Sequence, residues 1–409
     1  MQYSKLVRLI GVVFIFGIAG ACQTEVKTLK EGLWRGAFIL PGDEIPFVFE
    51  VKGNQADSTI VYLINGKDRF PLKNITWSSD SVTIPIDLYS AVLKGKLTEN
   101  RLEGQLVKVG TDQPVAGVPF IAEYGNLPRF PESGETPSVS LTGTWDVTIE
   151  QEKTVGLFNQ EGSILTGSIL TTTGDYRFFE GVVNGNKFKL SAFGGSTPYL
   201  IKGEFSDDST FTGEFVKPRQ TIKIEGKRNP QATMPDPYTA STLKEGFTTI
   251  EFSFPNLDGR KVSLSDAVYK GKVVIVTILG SWCPNCLDEN AFLAEWHKSN
   301  HQRGVEIIGL GFERKSDFES AKKSLSSLKA RLDIPYEILF AGKSGVESAS
   351  NALPALNGIS AFPTTIFIDR KGNVRKVHTG FNGPATGKFY EAFKVEFNEL
   401  VDSLLAEKS

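Results

Sequence analysis

Cys283 and Cys286, separated by Pro284 and Asn285 and preceded by Trp282, are the residues of this chain best placed to do chemistry. Two thiols at this spacing can exchange with a disulfide: one thiolate attacks, a mixed disulfide forms, and the second thiol resolves it. At the start of a helix, residues three apart share a face, so Cys286 is expected beneath Cys283. A cysteine at the helix mouth meets unsatisfied amides and the positive end of the helix dipole, which favour thiolate over thiol, and Pro284 suits the first helical position. Cys283 is therefore read as the nucleophile, and Cys286 as the more buried, less ionised resolver.

The elements that must hold this pair are legible on either side. The apolar run Val273-Val274-Ile275-Val276-Thr277-Ile278-Leu279 predicts a strand that ends just before the pair, and a helix is predicted from about Pro284 to Lys298. Beyond it, strand-like segments at 305–311, 336–340, 364–369 and 373–378 alternate with helical ones near 316–332 and 384–405. That alternation predicts an α/β domain with a mostly central sheet.

On these residues the last two fifths of the chain resembles the TlpA-like branch of the thioredoxin superfamily. Four motifs carry the resemblance in order: the hairpin-like run from Phe254 to Leu264, Gly271-Lys272-Val273-Val274 opening the first core strand, Trp282-Cys283-Pro284-Asn285-Cys286, and Phe362-Pro363-Thr364-Thr365-Ile366-Phe367-Ile368-Asp369. The resemblance implies a thioredoxin-like fold and thiol-disulfide oxidoreductase activity, tilted toward reduction. It implies that Pro363 is a cis-proline facing the dithiol and that the backbone beside it, at Phe362, pairs with the substrate chain; from sequence alone a trans proline at the first residue of a strand is equally lawful. Trp282 is expected to shape the site. Glu289 matches a position where the family often carries an acid, one helical turn past Cys286, and is expected to take the proton that Cys286 must lose. The alternative is that Asp288 and Glu289 merely complement the helix dipole; that role is assigned to Asp288. Thr277 stands where thioredoxin itself has a buried acid.

The chain holds three cysteines, and Cys22 lies in the N-terminal segment, so Cys283 and Cys286 are the only pair left for the folded body. A chain of this size with no other pair is not stapled by disulfides. Cys283, Cys286, His297 and His301 come near the spacing of a Cys2His2 zinc site. On a continuous helix, however, His297 lies about 16 Å beyond Cys286 at ~1.5 Å per residue, whereas zinc ligands converge within about 2.0–2.3 Å of the metal. No metal and no cofactor beyond the dithiol are expected; His297 and His301 are read as solvated helix residues, and His378 as a strand-end residue.

Ahead of this domain the text changes. Lys5 and Arg8 precede an apolar stretch from Leu9 to Ala19, too short to span a bilayer comfortably, which closes on Ala19-Gly20-Ala21-Cys22. Residues 1–22 read as an export signal, and the tetrapeptide resembles the lipobox of bacterial lipoproteins, which implies lipidation of Cys22; the alternatives are a signal cut nearby or an uncleaved anchor. From about Gly32 to Arg228, short alternating segments separated by Gly, Asn and Asp turns predict antiparallel β structure. The region repeats: Gly32-Leu33-Trp34 matches Gly143-Thr144-Trp145, Lys94-Gly95 matches Lys202-Gly203, and Gly104 to Lys108 matches Gly213 to Lys217, at offsets of 111, 108 and 109 residues. Two β modules are predicted, at 31–124 and 141–228, as small closed lipocalin-like barrels, since closure removes exposed strand edges; one larger shared sheet is the alternative. Trp34 and Trp145 either plug the barrel ends or line ligand cavities. Proline-bearing stretches at 125–140 and 229–244 read as linkers to the second module and to the thioredoxin-like domain at 245–409. Within that domain, Leu353, Leu356 and Ile359 of the long connection before Pro363 form either a helical flap over the site or a surface insertion.

The formal net charge is −2 with 45 basic and 47 acidic residues, so nothing points to a nucleic-acid partner. The sequence therefore predicts an exported, lipid-anchored thiol-disulfide oxidoreductase of the cell envelope, facing the periplasm. Its expected partners are disulfide-bearing envelope proteins and an upstream thiol electron donor. Two other readings stand beside it: a ligand- or partner-binding lipoprotein with a secondary thioredoxin-like domain, and a thiol peroxidase.

Overall fold

A computed structural model of the chain describes residues 28–53, 55, 57–109, 116–131 and 134–407. The proposed signal segment and Cys22 lie outside the described residues. Among the described residues no helix is long and apolar enough to cross a membrane.

The first module is a nine-stranded antiparallel sheet built from β1 (Gly32–Leu40), β2 (Asp43–Lys52), β3 (Ile60–Asn65), β4 (Asp68–Leu72), β5 (Thr76–Ser78), β6 (Ser81–Ile86), β7 (Ala91–Leu97), β8 (Arg101–Lys108) and β9 (Val118–Tyr124). In β3 and β6 every second residue is buried, the period of a strand with one face on a core. The strands follow one another around the sheet and β9 returns to β1, but β4 and β5 are not paired, so the ring stays open between them.

The second module contains β10 (Gly143–Ile149), β11 (Glu152–Glu161), β12 (Ile164–Thr171), the two-residue β13 (Gly174–Asp175), β14 (Phe179–Asn184), β15 (Lys187–Ala192), β16 (Tyr199–Asp207), β17 (Thr210–Lys217) and β18 (Gln220–Arg228). Here β18 pairs with β10, β11 with β12, and β12 with β14, which closes a ring of eight strands with β13 as a stub. The different closures follow from edge use. β4 hydrogen-bonds along β3 from Val61 to Asn65 and leaves β5 no free edge there. The stub β13 takes only Leu170 and Thr171 of β12, so Ile164 to Gly167 remain for β14.

The repeat read in the sequence reappears as geometry. Gly32 and Gly143 both have φ 126°. Trp34 and Trp145 are fully buried, and each indole N–H donates to a carbonyl four residues back, Lys30 at 3.0 Å and Leu141 at 2.8 Å. Both indoles are packed rather than lining open space: Trp34 stacks on Phe49, and Trp145 lies against Phe205 and Phe211 in the aromatic filling of the second ring.

The two modules are joined through buried groups. Asn65 at the end of β3 exchanges two hydrogen bonds with the backbone of Phe193, at 2.9 and 3.0 Å, and the Phe193 ring enters the first module's core beside Phe38 and Phe47. The stretches read as linkers are themselves packed: Phe130 and Ala232 are buried, and the buried Arg129 donates to the carbonyls of Pro46 and Ile64.

In the C-terminal domain β19 (Ser253–Pro255) and β20 (Lys261–Ser263) form a hairpin, and a five-stranded sheet runs in the order β23 (Glu337–Lys343), β22 (Val305–Glu313), β21 (Val273–Leu279), β24 (Thr364–Ile368), β25 (Val374–Thr379). β21 is buried at all seven positions, as expected of a central strand written as one apolar run. It pairs in parallel with β22 and antiparallel with β24. Helices α1 (Pro284–Asn300), α2 (Phe318–Arg331), α3 (Val346–Ala352) and α4 (Lys388–Ala406) complete the domain. Leu353, Leu356 and Ile359 are buried in the core, and Leu356 bridges to Leu243, so this connection is packed into the domain rather than a surface insertion.

Candidate functional site

β21 leads through Gly280, Ser281 and Trp282 to Cys283, the N-cap of α1. The Cys283 Sγ accepts the backbone N–H of Cys286 at 3.3 Å, the bond an N-cap side chain makes to the first helical turn. The Cys283 thiol faces the carbonyl of Phe362 at 3.6 Å. The Phe362-Pro363 peptide bond is cis. Phe362 packs on Trp282 and Phe312, with ring centroids 5.5 and 5.9 Å apart, and the Trp282 indole donates to the Phe312 carbonyl at 2.9 Å. Four of the residues singled out in the sequence, Trp282, Cys283, Phe362 and Pro363, therefore meet around one sulfur.

Cys286 lies behind them, completely buried. Burial pushes its thiol well up, and the neighbouring Cys283 and the Glu289 charge add to the effect. Such a thiol must hand off its proton before it can attack. Glu289 lies one turn further along α1, also buried, accepting hydroxyl hydrogens from Thr277 and Thr365 at 2.7 Å each. Burial lifts Glu289 to about 7 even though both hydroxyl bonds pull the other way. A carboxyl poised near neutrality can both accept and return a proton. Thr277, at the strand position where thioredoxin carries an acid, thus holds an acid supplied by the helix.

Asp288 differs from the expectation that it serves only the helix dipole. It pairs with Arg177 of the second module at 3.1 Å, and burial lifts it to about 7 against that pull. His297 is buried rather than solvated, with its ring edge-on to Tyr336, because the last turns of α1 lie over the sheet. His378 is also buried and is lowered to about 4 by desolvation. α1 runs unbroken from Pro284 to Asn300, which keeps His297 far along the helix from Cys286, and the described residues contain no cluster of three or more ligating side chains suited to a metal.

The structure adds residues that spacing did not reveal. Glu313, at the end of β22, accepts the Ser281 N–H at 2.8 Å and the Ser281 hydroxyl at 2.7 Å, clamping the turn before Trp282, and burial lifts it to about 7. Tyr89 of the first module and Arg177 of the second reach the same neighbourhood: the Arg177 guanidinium donates to the Tyr89 hydroxyl at 3.4 Å, and Arg314 donates to the Tyr89 carbonyl at 3.3 Å. Cys283 is only 5% exposed in this setting. No local pattern marks these residues, since each lies in another element far away in sequence.

Comparison with known proteins gives the geometry a context. A model of the AhpC/TSA family matches residues 246–377. The chain is 30% identical over 147 residues to the thiol:disulfide interchange protein DsbE of Vibrio cholerae, covering 36% of this chain and 70% of that protein. It is 28% identical over 135 residues to the thiol-disulfide oxidoreductase ResA of Geobacillus thermodenitrificans, covering 33% of this chain and 69% of that protein. A solved thiol-disulfide isomerase from Corynebacterium glutamicum aligns at 18% identity and a TM-score of 0.32, over 40% of this chain and 100% of that one.

Proposed function

Starting from a chain that belongs, through its C-terminal domain, to the thioredoxin-like thiol-disulfide oxidoreductases, we propose that it reduces protein disulfides in the cell envelope through Cys283 and Cys286. The observation that carries this is the stacked arrangement of an N-cap thiol, a fully buried second thiol behind it, and a buried carboxyl lifted to about 7.

In the proposed cycle the Cys283 thiolate attacks one sulfur of the substrate disulfide; that S–S bond breaks, and the other substrate sulfur leaves as a thiolate that takes up a proton. Cys286 passes its proton to Glu289 and attacks the Cys283 sulfur. The mixed disulfide breaks, the second substrate sulfur leaves as a thiolate that takes up a proton, and a Cys283–Cys286 disulfide remains. The substrate has gained two electrons, and an upstream dithiol donor restores the pair. Trp282, Phe362 and Pro363 form the ledge on which the substrate chain rests, a short form of strand addition.

The remaining parts of the proposal rest on sequence. The segment ending at Cys22 exports the chain and Cys22 anchors it to a membrane by lipid, placing the dithiol among periplasm-facing proteins. The dithiol itself is the redox centre, with no further cofactor.

Insulin reduction with a dithiol donor tests the mechanism: turnover is expected to vanish in Cys283→Ser, and intact turnover in that variant would sink the assignment. Cys286→Ala keeps the attacking thiol without the resolver and is expected to accumulate mixed disulfides with envelope proteins. Consumption of peroxide at a rate exceeding disulfide reduction would instead favour the peroxidase reading. The ligand-binding reading loses its main support where Trp145 and its aromatic neighbours fill the second ring.

A further inference from the structure

The contact between the second module and the dithiol runs through one short turn. Thr172 and Thr173, between β12 and β13, lead into Gly174 and Asp175. A Cβ on Gly380 would come within 2.9 Å of the Thr173 carbonyl carbon and 3.0 Å of the Thr172 oxygen, so turn and loop are already in contact. Gly380 in turn donates its N–H to the Pro363 carbonyl at 2.9 Å, which ties that loop to the cis-proline. On its other side the turn abuts the dithiol motif itself. Gly174 has φ 135°, and a Cβ there would collide with the Asn285 side-chain amide and lie 2.9 Å from the Phe381 carbonyl. The backbone of Thr172 to Gly174 is thus wedged between the Pro284-Asn285 bridge of the motif and the loop beside Pro363.

A buried acid and a neighbouring arginine fasten it. Asp175 accepts the Gly383 N–H at 2.7 Å from the redox domain and the Arg177 N–H at 2.8 Å from its own turn. Arg177 bonds to Asp288 on α1 at 3.1 Å and to Asp68 on β4 at 3.4 Å, so one guanidinium joins all three parts of the molecule. The fastening is incomplete: the buried Nε of Arg177 and the buried Oδ1 of Asn285 have no hydrogen-bond partner. Beside them is a cavity of about 180 Å³ whose lining includes Asp68, Tyr89, Thr173, Arg177, Tyr199 and Asn285.

A substrate joined to the Cys283 sulfur has Cys286 beneath it, so its chain must leave across the surface. One way out passes Phe362 and Trp282; the other crosses between Asn285 and Gly380, where the turn sits. Deepening the reductase reading above and resting on it, we propose that the β12–β13 turn is a substrate-selecting wall of the dithiol site. It lets disulfides on small thiols or short flexible segments react faster than those set in a longer or folded chain, which still react but more slowly, with Arg177 and Asp175 as the specificity-determining residues.

The test compares insulin with hydroxyethyl disulfide as substrates of the full chain, and iodoacetamide with a polyethylene-glycol maleimide as alkylators of Cys283, read by peptide mass. Arg177→Ala and Asp175→Ala are expected to raise the insulin to hydroxyethyl disulfide ratio of kcat/KM by on the order of tenfold, the size of an ordinary coupling between two conformations. The bulky to small alkylation ratio should rise with it. If both ratios match the wild type in variants that keep its near-UV circular dichroism, the wall is wrong. Should Arg177→Ala fail to fold, with Asp68 and Asp288 left uncompensated, Asp175→Ala decides. A wild type that reduces neither disulfide overturns the reductase reading instead, and the alkylation ratio still judges the wall on its own.

Discussion

The two β modules share a frame and part at one place. In the first, β4 lies along most of β3 and the ring stays open; in the second, the equivalent strand has shrunk to the two-residue β13, β14 reaches β12, and eight strands close. That same place is where each module meets the redox domain. β4 contributes Phe70, which lies 4.1 Å under the Arg331 guanidinium of α2, and Asp68, which bonds to Arg177. β13 contributes Asp175, bonded to Gly383. The contrast teaches that the repeat was free to diverge where its own ring did not need the strand, and that the surplus strand became the docking surface.

Closure is tested most strongly at the tryptophans. Trp145→Ala is expected to destabilise by about 3–5 kcal/mol, because a closed ring has little freedom to collapse into the space the indole leaves. Trp34→Ala should cost about 1 kcal/mol less, since an open sheet relaxes into the gap more readily. Denaturant unfolding of the two variants checks this. Equal losses, or a larger one for Trp34, would show that the unpaired β4–β5 seam is as rigid as a closed one.

How much of this was legible beforehand depends on distance along the chain. The strand, the motif and α1 are contiguous, so their local chemistry announced them, and helical spacing placed Glu289 with Cys286. The repeat was legible because Gly32-Leu33-Trp34 and Gly143-Thr144-Trp145 make the same local turn. The failure of the first ring to close was not, since β4 and β13 differ only in how far a hairpin extends. His297 was misplaced because α1 has no clear polar face to show which side the sheet covers. Arg177, Tyr89 and Asp175 act across more than a hundred residues, and an arginine in a turn of a β module carries no mark of the thiol it approaches.

A reference point for docking lies inside the redox domain, where Glu289 is held by Thr277 and Thr365 and touches neither module. Its ordinary value is 4.5 and burial lifts it to about 7. Below the lower value folded and unfolded chains are both protonated, and the folded state keeps its full advantage. As pH rises toward the upper one the unfolded carboxyl ionises first, so stability falls across this window, by about 3 kcal/mol for a shift of this size. Glu289→Gln should flatten that decline in melting temperature against pH, and Arg177→Ala should leave Glu289's part of it in place. If Arg177→Ala erases it as well, the modules reach further into the site than their contacts indicate.

The seam between the modules is a smaller effect. Asn65→Ala removes two buried bonds and leaves the Phe193 N–H and carbonyl without partners, which should cost about 1–3 kcal/mol. Amide exchange at Phe193 should speed up while that of Trp145, inside the closed ring, does not. Parallel acceleration at both would mean that the two modules unfold as one unit and that the contrast between them is confined to shape.

The smallest expected effect bears on what the modules have in common. Gly32 and Gly143 share a φ of 126°, a conformation that a side chain strains, and an added Cβ would meet its nearest neighbour at 3.4 Å in both, Tyr124 in one module and Arg228 in the other. Room and backbone geometry being matched, Gly32→Ala and Gly143→Ala should each destabilise by about 1 kcal/mol and agree within about 0.5 kcal/mol. Since the first module is open and the second closed, equal losses would locate the shared frame in the opening turn before each tryptophan, independent of whether the ring shuts. A loss confined to Gly143 would mean that closure stiffens the turn as well, and that the resemblance between the modules is one of sequence more than of mechanics.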